Sequence, residues 1–358
     1  MNRISLLKNL DKYIGAALVQ VISLFPLGSS LDEGLSSILL IRPGGIGDAV
    51  LLAPAIIALK RRFPDAVISV LAERRNAAVF ALCPRVNRVL RYDIPSELME
   101  TIRGRYDLVI DSEQWHRLSA VVARLCRPRM LIGFGTNVRR RLLGREVYYS
   151  HDDYEAISFL RLLEPLGIDA GLLEPPFLTV PEAAEGSVER LLAPLEGRPF
   201  VAVFPGASIV ERRWGVERFR QVSAAVNRVG YPVVVVGGKD DREQGEVIVS
   251  GGFGLNLAGR TSLAETAAVL GRSRLLVSGD SGVLHLAVGL GVRTVSLFGP
   301  GIAEKWAPRG EKHTVLNRRL ACSPCTRFGT TPPCPYGARC MKEITVEQVT
   351  EALLRLLN

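Results

Sequence analysis

Short apolar runs alternate along the chain with longer segments in which apolar residues recur every three or four positions. The runs include SSILLIR, VISVLA, YDLVIDS and RMLIGFG, followed later by FVAVFPG, YPVVVVGG, RLLVSGD and VRTVSLFG. Apolar runs of this length predict buried strands, and the periodic segments between them predict helices. This order is typical of parallel strands joined by right-handed crossovers, which predicts an α/β protein.

The alternation stops once and then restarts, which divides the chain. Residues 168–199 are rich in Pro, Glu and Gly, and we interpret them as a linker. The sequence then predicts five segments: an N-terminal amphipathic segment over 1–36, a Rossmann-like domain over 37–167, the linker over 168–199, a second Rossmann-like domain over 200–345, and a C-terminal helix over 346–358. Because ligands of doubly wound sheets bind beyond the carboxyl ends of the strands, we expect the two domains to face a central cleft.

The chain of 358 residues is long enough for two domains of ordinary size, and its formal net charge is +9. This excess of positive charge favours an anionic partner, such as nucleic acid, an acidic membrane surface or a phosphorylated substrate. The basic residues are dispersed, and the sequence has no zinc-finger, helix-turn-helix or RNP-type motif, so we do not expect it to bind nucleic acid. No apolar stretch reaches the roughly 20 residues that span a bilayer.

The N-terminal segment places Lys8 and Lys12 ahead of the short apolar run YIGAALVQVISLF. Asp11 lies close before this run, and the cysteines that follow have the pattern of a reduced protein. Both observations argue against a cleaved signal peptide. Two interpretations stay open. The segment is an amphipathic helix on the inner leaflet with its lysines near the headgroups, or it is a helix packed on the first domain.

The segment IRPGGIGDAVLL, residues 41–52, joins a predicted strand to a predicted helix through a glycine-rich turn. Such a turn usually holds a phosphate at the helix N-terminus, but here Asp48 stands where the anion would lie. A carboxylate on this turn is placed to accept a proton from an alcohol, and Gly45 and Gly47 would let an acceptor sugar approach the backbone. The alternative interpretation is that Asp48 only caps the helix.

The segment SGDSGVLHLAVGLG, residues 278–291, predicts a second turn with different chemistry. Asp280 ends a strand, and the free N–H groups that follow, together with the Ser281 hydroxyl, can hold phosphate oxygens. His285 lies four residues after Ser281 and therefore on the same helix face. The alternative is that Asp280 caps the helix and that His285 is an ordinary core residue.

The segment VFPGASIVERRW, residues 203–214, places Ser208, Arg212 and Arg213 after another strand. Arginine binds diphosphate through two N–H groups and needs no metal ion to do so. The sequence contains no D-x-D pair, the usual metal-chelating motif of sugar transferases. We therefore expect a metal-free diphosphate site, with a solvated basic loop as the alternative.

Three separated segments resemble glycosyltransferase family 9, the ADP-heptose:lipopolysaccharide heptosyltransferases. They are RPGGIGDAVLLAPAIIALKRRFPDA, FPGAS with the RRW that follows it, and GDSGVLHLAVGLGVRTVSLFGP. The resemblance runs from about residue 37 to the C-terminus. It implies a GT-B fold, in which two Rossmann-like domains face a cleft, and an inverting, metal-independent transfer from a nucleotide sugar.

The resemblance also implies roles for individual residues, and Asp48 takes that of the general base. The family's D-[ST]-G-x-x-H donor motif falls on Asp280, Ser281, Gly282 and His285. Its hydroxyl and lysine after the P-G-A turn correspond to Ser208 and Arg212, so an arginine replaces the lysine here. An acidic residue that contacts the nucleoside falls on Asp241 or Glu243, and the sequence alone leaves both open.

Further acceptor contacts are expected in the first domain. Arg139, Arg140 and Arg141 follow a predicted strand and suit a phosphorylated, lipid-linked oligosaccharide. Gln114 and His116, just after LVIDS, are additional candidates. A solvated charge run is the alternative for the arginines, and ordinary structural roles are the alternative for the other two.

Four cysteines near the C-terminus follow the pattern C-x2-C-x8-C-x5-C within the Cys-rich loop 322–340, and they are Cys322, Cys325, Cys334 and Cys340. Such a set binds structural zinc, forms disulfides or remains as free thiols, and the spacing does not choose among these. Cys83 and Cys126 have the surroundings of core residues.

The sequence as a whole predicts an inverting, metal-independent transferase that moves a heptose from an ADP-sugar to a lipopolysaccharide-core or similar glycolipid. We expect no cofactor beyond that co-substrate, and a cytoplasmic enzyme at the inner face of the membrane. One alternative is an NAD(P)-dependent oxidoreductase; Val50 and Asp48 depart from the dinucleotide fingerprint, although Glu73 follows the next strand as that fold requires. The other alternative is a non-catalytic nucleotide-sugar-binding protein, and the retained Ser281 and His285 argue against it.

Overall fold

The computed structural model describes residues 11–25, 34–327 and 330–358, and the chain divides into two compact units, Met1–Leu173 and Glu174–Asn358. Each unit contains a six-stranded parallel sheet. The strands of the first sheet are β1 (Ser37–Arg42), β2 (Val67–Ala72), β3 (Arg88–Arg91), β4 (Leu108–Asp111), β5 (Met130–Phe134) and β6 (Arg145–Val147). Those of the second are β7 (Val201–Phe204), β8 (Val233–Val235), β9 (Gly254–Asn256), β10 (Leu275–Gly279), β11 (Arg293–Phe298) and β12 (His313–Asn317).

The strand order is β3-β2-β1-β4-β5-β6 in the first sheet and β12-β11-β10-β7-β8-β9 in the second. Counted within its own unit, each sheet has the order 3-2-1-4-5-6 of a Rossmann fold, in which the winding reverses between the first and fourth strands. The predicted α/β class with two Rossmann-like units is confirmed. Ligands of such sheets bind at the reversal, which lies beside β1 and β4 in one unit and beside β7 and β10 in the other.

Helices connect these strands. In the first unit they are α1 (Ala16–Ile22), α2 (Ile46–Arg62), α3 (Ala77–Phe80), α4 (Pro95–Arg103), α5 (Arg117–Leu125) and α6 (Glu155–Arg161). In the second they are α7 (Glu182–Leu192), α8 (Val216–Arg228), α9 (Arg242–Val249), α10 (Leu263–Arg272), α11 (Gly282–Gly289), α12 (Ala303–Trp306), α13 (Arg339–Lys342) and α14 (Val346–Leu357). Short 3-10 turns lie at Val138–Leu142, Glu164–Leu166, Ala193–Leu195, Val210–Arg212 and Lys239–Asp241.

The core of the first unit forms around β1, whose residues Ile38, Leu39 and Leu40 are fully buried. A central parallel strand is covered on both faces, which explains why this run is continuously apolar. The following helix α2 buries Val50 and Ile56 completely. Because strand and helix are both fixed by the core, the glycine turn between them is held from both ends.

The core of the second unit includes the C-terminal helix as well as the strands. Thr345 and Gln348 form a reciprocal capping box at the start of α14, which defines where that helix begins. Val349 and Leu353 of α14 are buried in the same cluster as Trp214. The Trp214 indole donates a 2.8 Å hydrogen bond to the Ile344 carbonyl, so it ties the arginine-bearing loop to the end of the chain.

The segment predicted as a linker over 168–199 is largely part of the second unit. Helix α7 lies within it and buries Ala184, Val188 and Leu192, a spacing of four that the surrounding Pro and Glu residues obscured. Before this helix, the Phe177 and Leu178 amides donate to the Gly289 carbonyl at 2.9 and 3.0 Å. The boundary between the units therefore falls at residues 173 and 174, early in the predicted linker.

The N-terminal segment forms a helix in its described part. A π-helical turn over Asp11–Gly15 leads into α1, and Val19 of α1 is buried against α5 and the turn Val138–Leu142. The helix over residues 11–22 thus packs on the first unit, as one of the two interpretations predicted, whereas Lys8 lies outside the described residues. Within the described part of the chain, no helix combines the length and the apolarity needed to cross a membrane.

Candidate active site

The glycine turn between β1 and α2 carries the predicted base. Gly44 has a φ of 111°, a conformation that glycine adopts far more easily than other residues. Gly45 is the N-cap of α2, and the Asp48 carboxylate folds back to accept the Gly45 amide. A Cβ at Gly45 would lie 3.2 Å from Asp48 Oδ2. Asp48 therefore caps the helix and, because Gly45 and Gly47 lack side chains, also presents its carboxylate beside bare backbone.

A buried arginine lies beneath this carboxylate. Arg42, at the end of β1, is 2% exposed and donates to the Ser112 carbonyl at 2.8 Å and to Glu113 Oε2 at 3.1 Å. Burial raises the pKa of Asp48 and the negative charge of Glu113 adds to this, while the charge of Arg42 opposes it; the net pKa is above the usual value. Burial also disfavours ionised Glu113, but the Arg42 charge holds the pKa of that carboxyl below its usual range.

The Arg42 charge thus acts on two carboxyl groups, and their pKa values shift in opposite directions. Glu113 stays ionised in its ion pair with Arg42, whereas Asp48 has the greater affinity for a proton. Groups whose surroundings separate their pKa values in this way are typical of acid–base sites. Asp48 is therefore a stronger base than an exposed carboxylate, at a position where a substrate can approach.

The same turn argues against a bound dinucleotide. The Gly44 amide donates to Glu73 Oε2 at 3.2 Å, and the Gly45 amide is engaged by Asp48, so neither is aimed at a phosphate. Glu73, which the oxidoreductase interpretation requires for ribose binding, also pairs with Arg75 at 2.7 Å. Two backbone donors of the turn that would hold a dinucleotide are thus used within the protein.

Arg139 does not lie where the sequence predicted it. Its side chain is fully buried, where it pairs with Asp111 at the end of β4 and donates to the Glu113 carbonyl. Burial raises the pKa of Asp111, partly offset by the Arg139 charge. The acceptor-binding prediction for Arg139 is therefore corrected, because the guanidinium is needed to compensate a buried carboxylate.

The other basic candidates on this side reach the surface. Arg140 is exposed and pairs with Glu146 at 2.8 Å, and exposed Arg141 donates to the side chain of Gln20 in α1. His116 is half-exposed, and its Nδ1 lies 3.6 Å from Asp11 Oδ2. These side chains line the surface around the N-terminal helix rather than the glycine turn.

Gln114 does join the network, through residues that sequence reasoning missed. Its amide accepts from Arg42 Nη2 at 3.3 Å and donates to Glu155, whose carboxylate also accepts the Tyr149 hydroxyl at 3.0 Å. Burial raises the pKa of Tyr149, and Glu155 raises it further, so the hydroxyl keeps its proton. Asp48, Glu113 and Glu155 all act on the pKa of Arg42, which makes these side chains one electrostatic cluster.

In the second unit, the N-terminus of α11 follows β10 as predicted. Ser281, and not Asp280, is the N-cap: its hydroxyl accepts the Leu284 amide at 3.2 Å and lies 2.9 Å from the Ser278 hydroxyl. His285 is 3% exposed, and burial lowers its pKa to about 4, so the ring is neutral. Its Nδ1 makes no hydrogen bond to any described residue, which is unusual for a buried polar atom.

Arg212 meets Asp280 beside this helix. Their side chains form an ion pair of 2.8 Å, with 16% and 8% of the respective side chains exposed. Gly301 lies against the same carboxylate, since a Cβ there would clash with Asp280 Oδ2. Asp280 is thus fixed by an arginine on one side and by bare backbone on the other. Burial has the largest effect on the pKa of His285, which the Asp280 charge raises and the Arg212 charge lowers. Arg212, Asp280, Ser281 and His285 form the donor-side cluster.

The remaining donor-side candidates lie on or near the turn after β7, and their exposure and contacts differ. Ser208 is exposed, and Arg213 uses Nε and Nη2 to hold the Ala207 carbonyl at 3.2 and 3.1 Å, so it stabilises the turn. Asp241 accepts the Gly238 amide at 2.9 Å and packs so closely on Gly206 that a Cβ there would clash with its carboxylate. Glu243 is exposed on α9. Of the two acidic candidates, Asp241 is the one beside the turn.

The four C-terminal cysteines line one cavity of about 200 Å3, and all six cysteines are free thiols. Among residues 11–25, 34–327 and 330–358, no three His, Cys, Asp or Glu side chains are grouped so that they could hold a metal ion. Cys83 and Cys126 are buried, as the sequence predicted.

Comparison with known proteins shows which family this chain resembles. The family model described as glycosyltransferase family 9 (heptosyltransferase) matches residues 96–334. The lipooligosaccharide heptosyltransferase 2 of Haemophilus influenzae is 24% identical over 306 residues, covering 78% of this chain and 88% of the relative.

Solved structures show the same fold. An ADP-heptose lps heptosyltransferase II of Escherichia coli superposes with a TM-score of 0.75 and 23% identity, covering 90% of this chain and 98% of the other. A glycosyltransferase family 9 protein from Veillonella parvula gives a TM-score of 0.78 and 20% identity, covering 92% and 99%. With the two Rossmann-ordered sheets, these likenesses confirm the predicted GT-B class.

Proposed function

Since this chain belongs to glycosyltransferase family 9, the heptosyltransferases, we propose that it transfers a heptose from ADP-heptose to a lipopolysaccharide-core or similar glycolipid. We further propose that the transfer inverts the anomeric configuration, needs no metal ion and takes place at the inner face of the cytoplasmic membrane. The observation that carries the proposal is the Asp48 carboxylate on its glycine turn, with a pKa raised by burial beside Arg42 and Glu113.

Asp48 provides the base of the proposed reaction. As the acceptor hydroxyl oxygen bonds to the anomeric carbon, the bond from that carbon to the diphosphate breaks and ADP leaves with the electron pair. The hydroxyl proton passes to Asp48, whose raised pKa brings it nearer to that of an effective base at neutral pH. A single displacement of this kind inverts the anomeric centre.

The donor-side cluster supports a metal-free diphosphate site. The N-terminus of α11 offers backbone N–H groups at Ser281 and Gly282, and the Arg212 guanidinium adds positive charge beside them. The neutral His285 ring has an Nδ1 without a hydrogen-bond partner among the described residues, and we propose that this ring contacts the diphosphate. Asp241, beside the turn after β7, is proposed to contact the nucleoside.

A panel of nucleotide sugars tests this proposal. We expect turnover with ADP-heptose and a soluble acceptor analogue to exceed turnover with UDP- and GDP-sugars and to persist in EDTA. NMR of the product should show the anomeric configuration opposite to that of the donor. Dependence on added magnesium or manganese, retention of configuration, or preference for another nucleotide would each contradict one part of the proposal. Titration with NADH, followed by its fluorescence, should show no binding.

Loss of the His285 ring is expected to weaken ADP binding. In His285→Ala, a hydrogen bond to a charged diphosphate is lost, which corresponds to about 1–3 kcal/mol, or roughly 5- to 150-fold in Kd by calorimetry. His313→Ala is the matched control, because burial also lowers the pKa of His313 to about 4 and its Nδ1 pairs with Thr294 on β11. Equal ADP affinity in the folded His285→Ala protein would remove His285 from the donor site.

A further inference from the structure

The N-terminal helix exposes large apolar side chains on the side that faces away from the first unit. Tyr13, Ile14, Val21, Leu24 and Phe25 are 66%, 51%, 57%, 81% and 66% exposed, and we call these five residues the outward face. Exposed apolar residues are common singly on a protein surface, but these five stand within 13 residues of the sequence. Patches of this kind mark interaction sites.

The opposite side of the helix is firmly attached, so the outward face cannot turn inward. Val19 is fully buried in a cluster with Ala120, Val121 and Leu142. At the start of the segment, Asp11 accepts the Arg117 and Leu118 amides at 2.7 and 2.9 Å, which caps α5.

Among residues 11–25, the exposed charge is positive. Asp11 is the one acidic residue among the first 31 of the sequence, and its carboxyl is 4% exposed with a pKa held low by His116 and backbone amides despite its burial. The burial of Asp11 removes negative charge from this surface. Lys12 is exposed, and exposed Arg141 reaches α1 through Gln20. An apolar strip with a basic border is the composition of helices that lie in the headgroup region of anionic membranes.

We propose that the outward face, together with Lys12 and Arg141, is a docking surface for an anionic lipid bilayer. The helix lies in the plane of the interface, with Ile14, Val21 and Phe25 among the acyl chains and the basic groups at the phosphates. Because the attached side holds the helix on the first unit, docking fixes the orientation of that unit on the membrane.

Docking also gives the acceptor a route to the site. Asp11 joins the helix to the loop after β4, which carries Gln114 and His116 at the carboxyl edge of the first sheet. A glycolipid held in the same bilayer is thereby kept at the membrane surface next to this edge. The inference rests on the proposed glycolipid acceptor, but binding to vesicles is measured without donor or acceptor, so the two can fail separately.

Co-sedimentation of the full chain with vesicles tests the docking surface. The variant Ile14→Ser/Val21→Ser/Phe25→Ser removes apolar contacts, and Val67→Ser/Val229→Ser/Val247→Ser is the matched control at positions 49%, 50% and 43% exposed elsewhere. With vesicles of 70% phosphatidylcholine and 30% phosphatidylglycerol, we expect the first variant to lower the partition coefficient at least tenfold and the control to leave it unchanged. Lys12→Ala/Arg141→Ala should lower it by about tenfold on these vesicles and hardly at all on pure phosphatidylcholine.

Other results would overturn the inference. Equal binding of all variants would show that membrane contact, if any, lies elsewhere. Loss of a dimer in the outward-face variant, detected by sedimentation velocity and accompanied by no vesicle binding of the unchanged chain, would assign the surface to a second copy. Turnover with a soluble acceptor should be the same in the outward-face variant, the control variant and the unchanged chain, and the melting temperature of Lys12→Ala/Arg141→Ala should match theirs, which shows that each has folded.

Discussion

We expect Asp48→Asn to lower turnover by about 10²–10⁴-fold, the usual contribution of general-base catalysis. Asparagine can still accept the Gly45 amide and cap α2, but it cannot take the proton of the acceptor hydroxyl. ADP affinity by calorimetry and the melting temperature should therefore stay close to those of the unchanged protein, while steady-state kcat falls. Near-normal kcat would leave Asp48 as a helix cap and place the base elsewhere.

Variants of the residues beside Asp48 provide a control. If Asp48 is the base, they should shift the pH profile of kcat, which a residue with only a structural role would not do. The base must be ionised, so kcat falls as the pH drops through the pKa of Asp48. The Arg42 charge lowers that pKa and the Glu113 charge raises it. Arg42→Met should therefore move the acid limb of the kcat profile to higher pH, and Glu113→Gln should move it to lower pH. Shifts in the same direction, or none in folded variants, would contradict a base tuned by these two groups.

The layout of the fold could be predicted from sequence because its signals are local. Apolar runs such as 37–42 and 275–279 are short, continuous and followed by glycine, which is the pattern of a buried parallel strand entering a turn. The limit of the linker was harder to predict. The buried stripe Ala184, Val188 and Leu192 is an ordinary helical pattern, but it stands in a segment whose composition is typical of a loop.

The residues of the two turns were predictable for the same reason, because Asp48, Ser281 and His285 follow strand ends within a few positions. Their partners come from far along the chain. Glu113 reaches Arg42 across 71 positions and Arg139 reaches Asp111 across 28, and neither pairing has a sequence signal. The sequence also does not show which of several adjacent arginines is buried. Burial alone separates Arg139, which compensates Asp111, from exposed Arg140.

Arg212→Ala is expected to have the second large effect. Its guanidinium is the charge proposed to stabilise the leaving diphosphate, and removing one such group from a preorganised site typically costs about 10²–10³ in kcat. Because a group of the protein supplies this charge, activity of the unchanged enzyme should be insensitive to EDTA, and magnesium should not restore the variant. Arg212→Lys keeps the charge and should retain most of the turnover. Because lysine lacks the second N–H contact to the diphosphate, the KM for the donor should rise slightly.

Loss of stability could imitate this result, since Arg212→Ala also leaves Asp280 without its ion-pair partner in a nearly buried position. An unpaired buried carboxylate destabilises a protein by about 3 kcal/mol or more, which lowers the melting temperature. The double variant Arg212→Ala/Asp280→Asn removes the unpaired charge, so its melting temperature should recover much of that loss. Its turnover should not recover, because the positive charge at the diphosphate is still missing. If turnover recovers together with stability, Arg212 acts only by holding Asp280 in place, and the charge for the leaving group must come from another residue or from a metal ion.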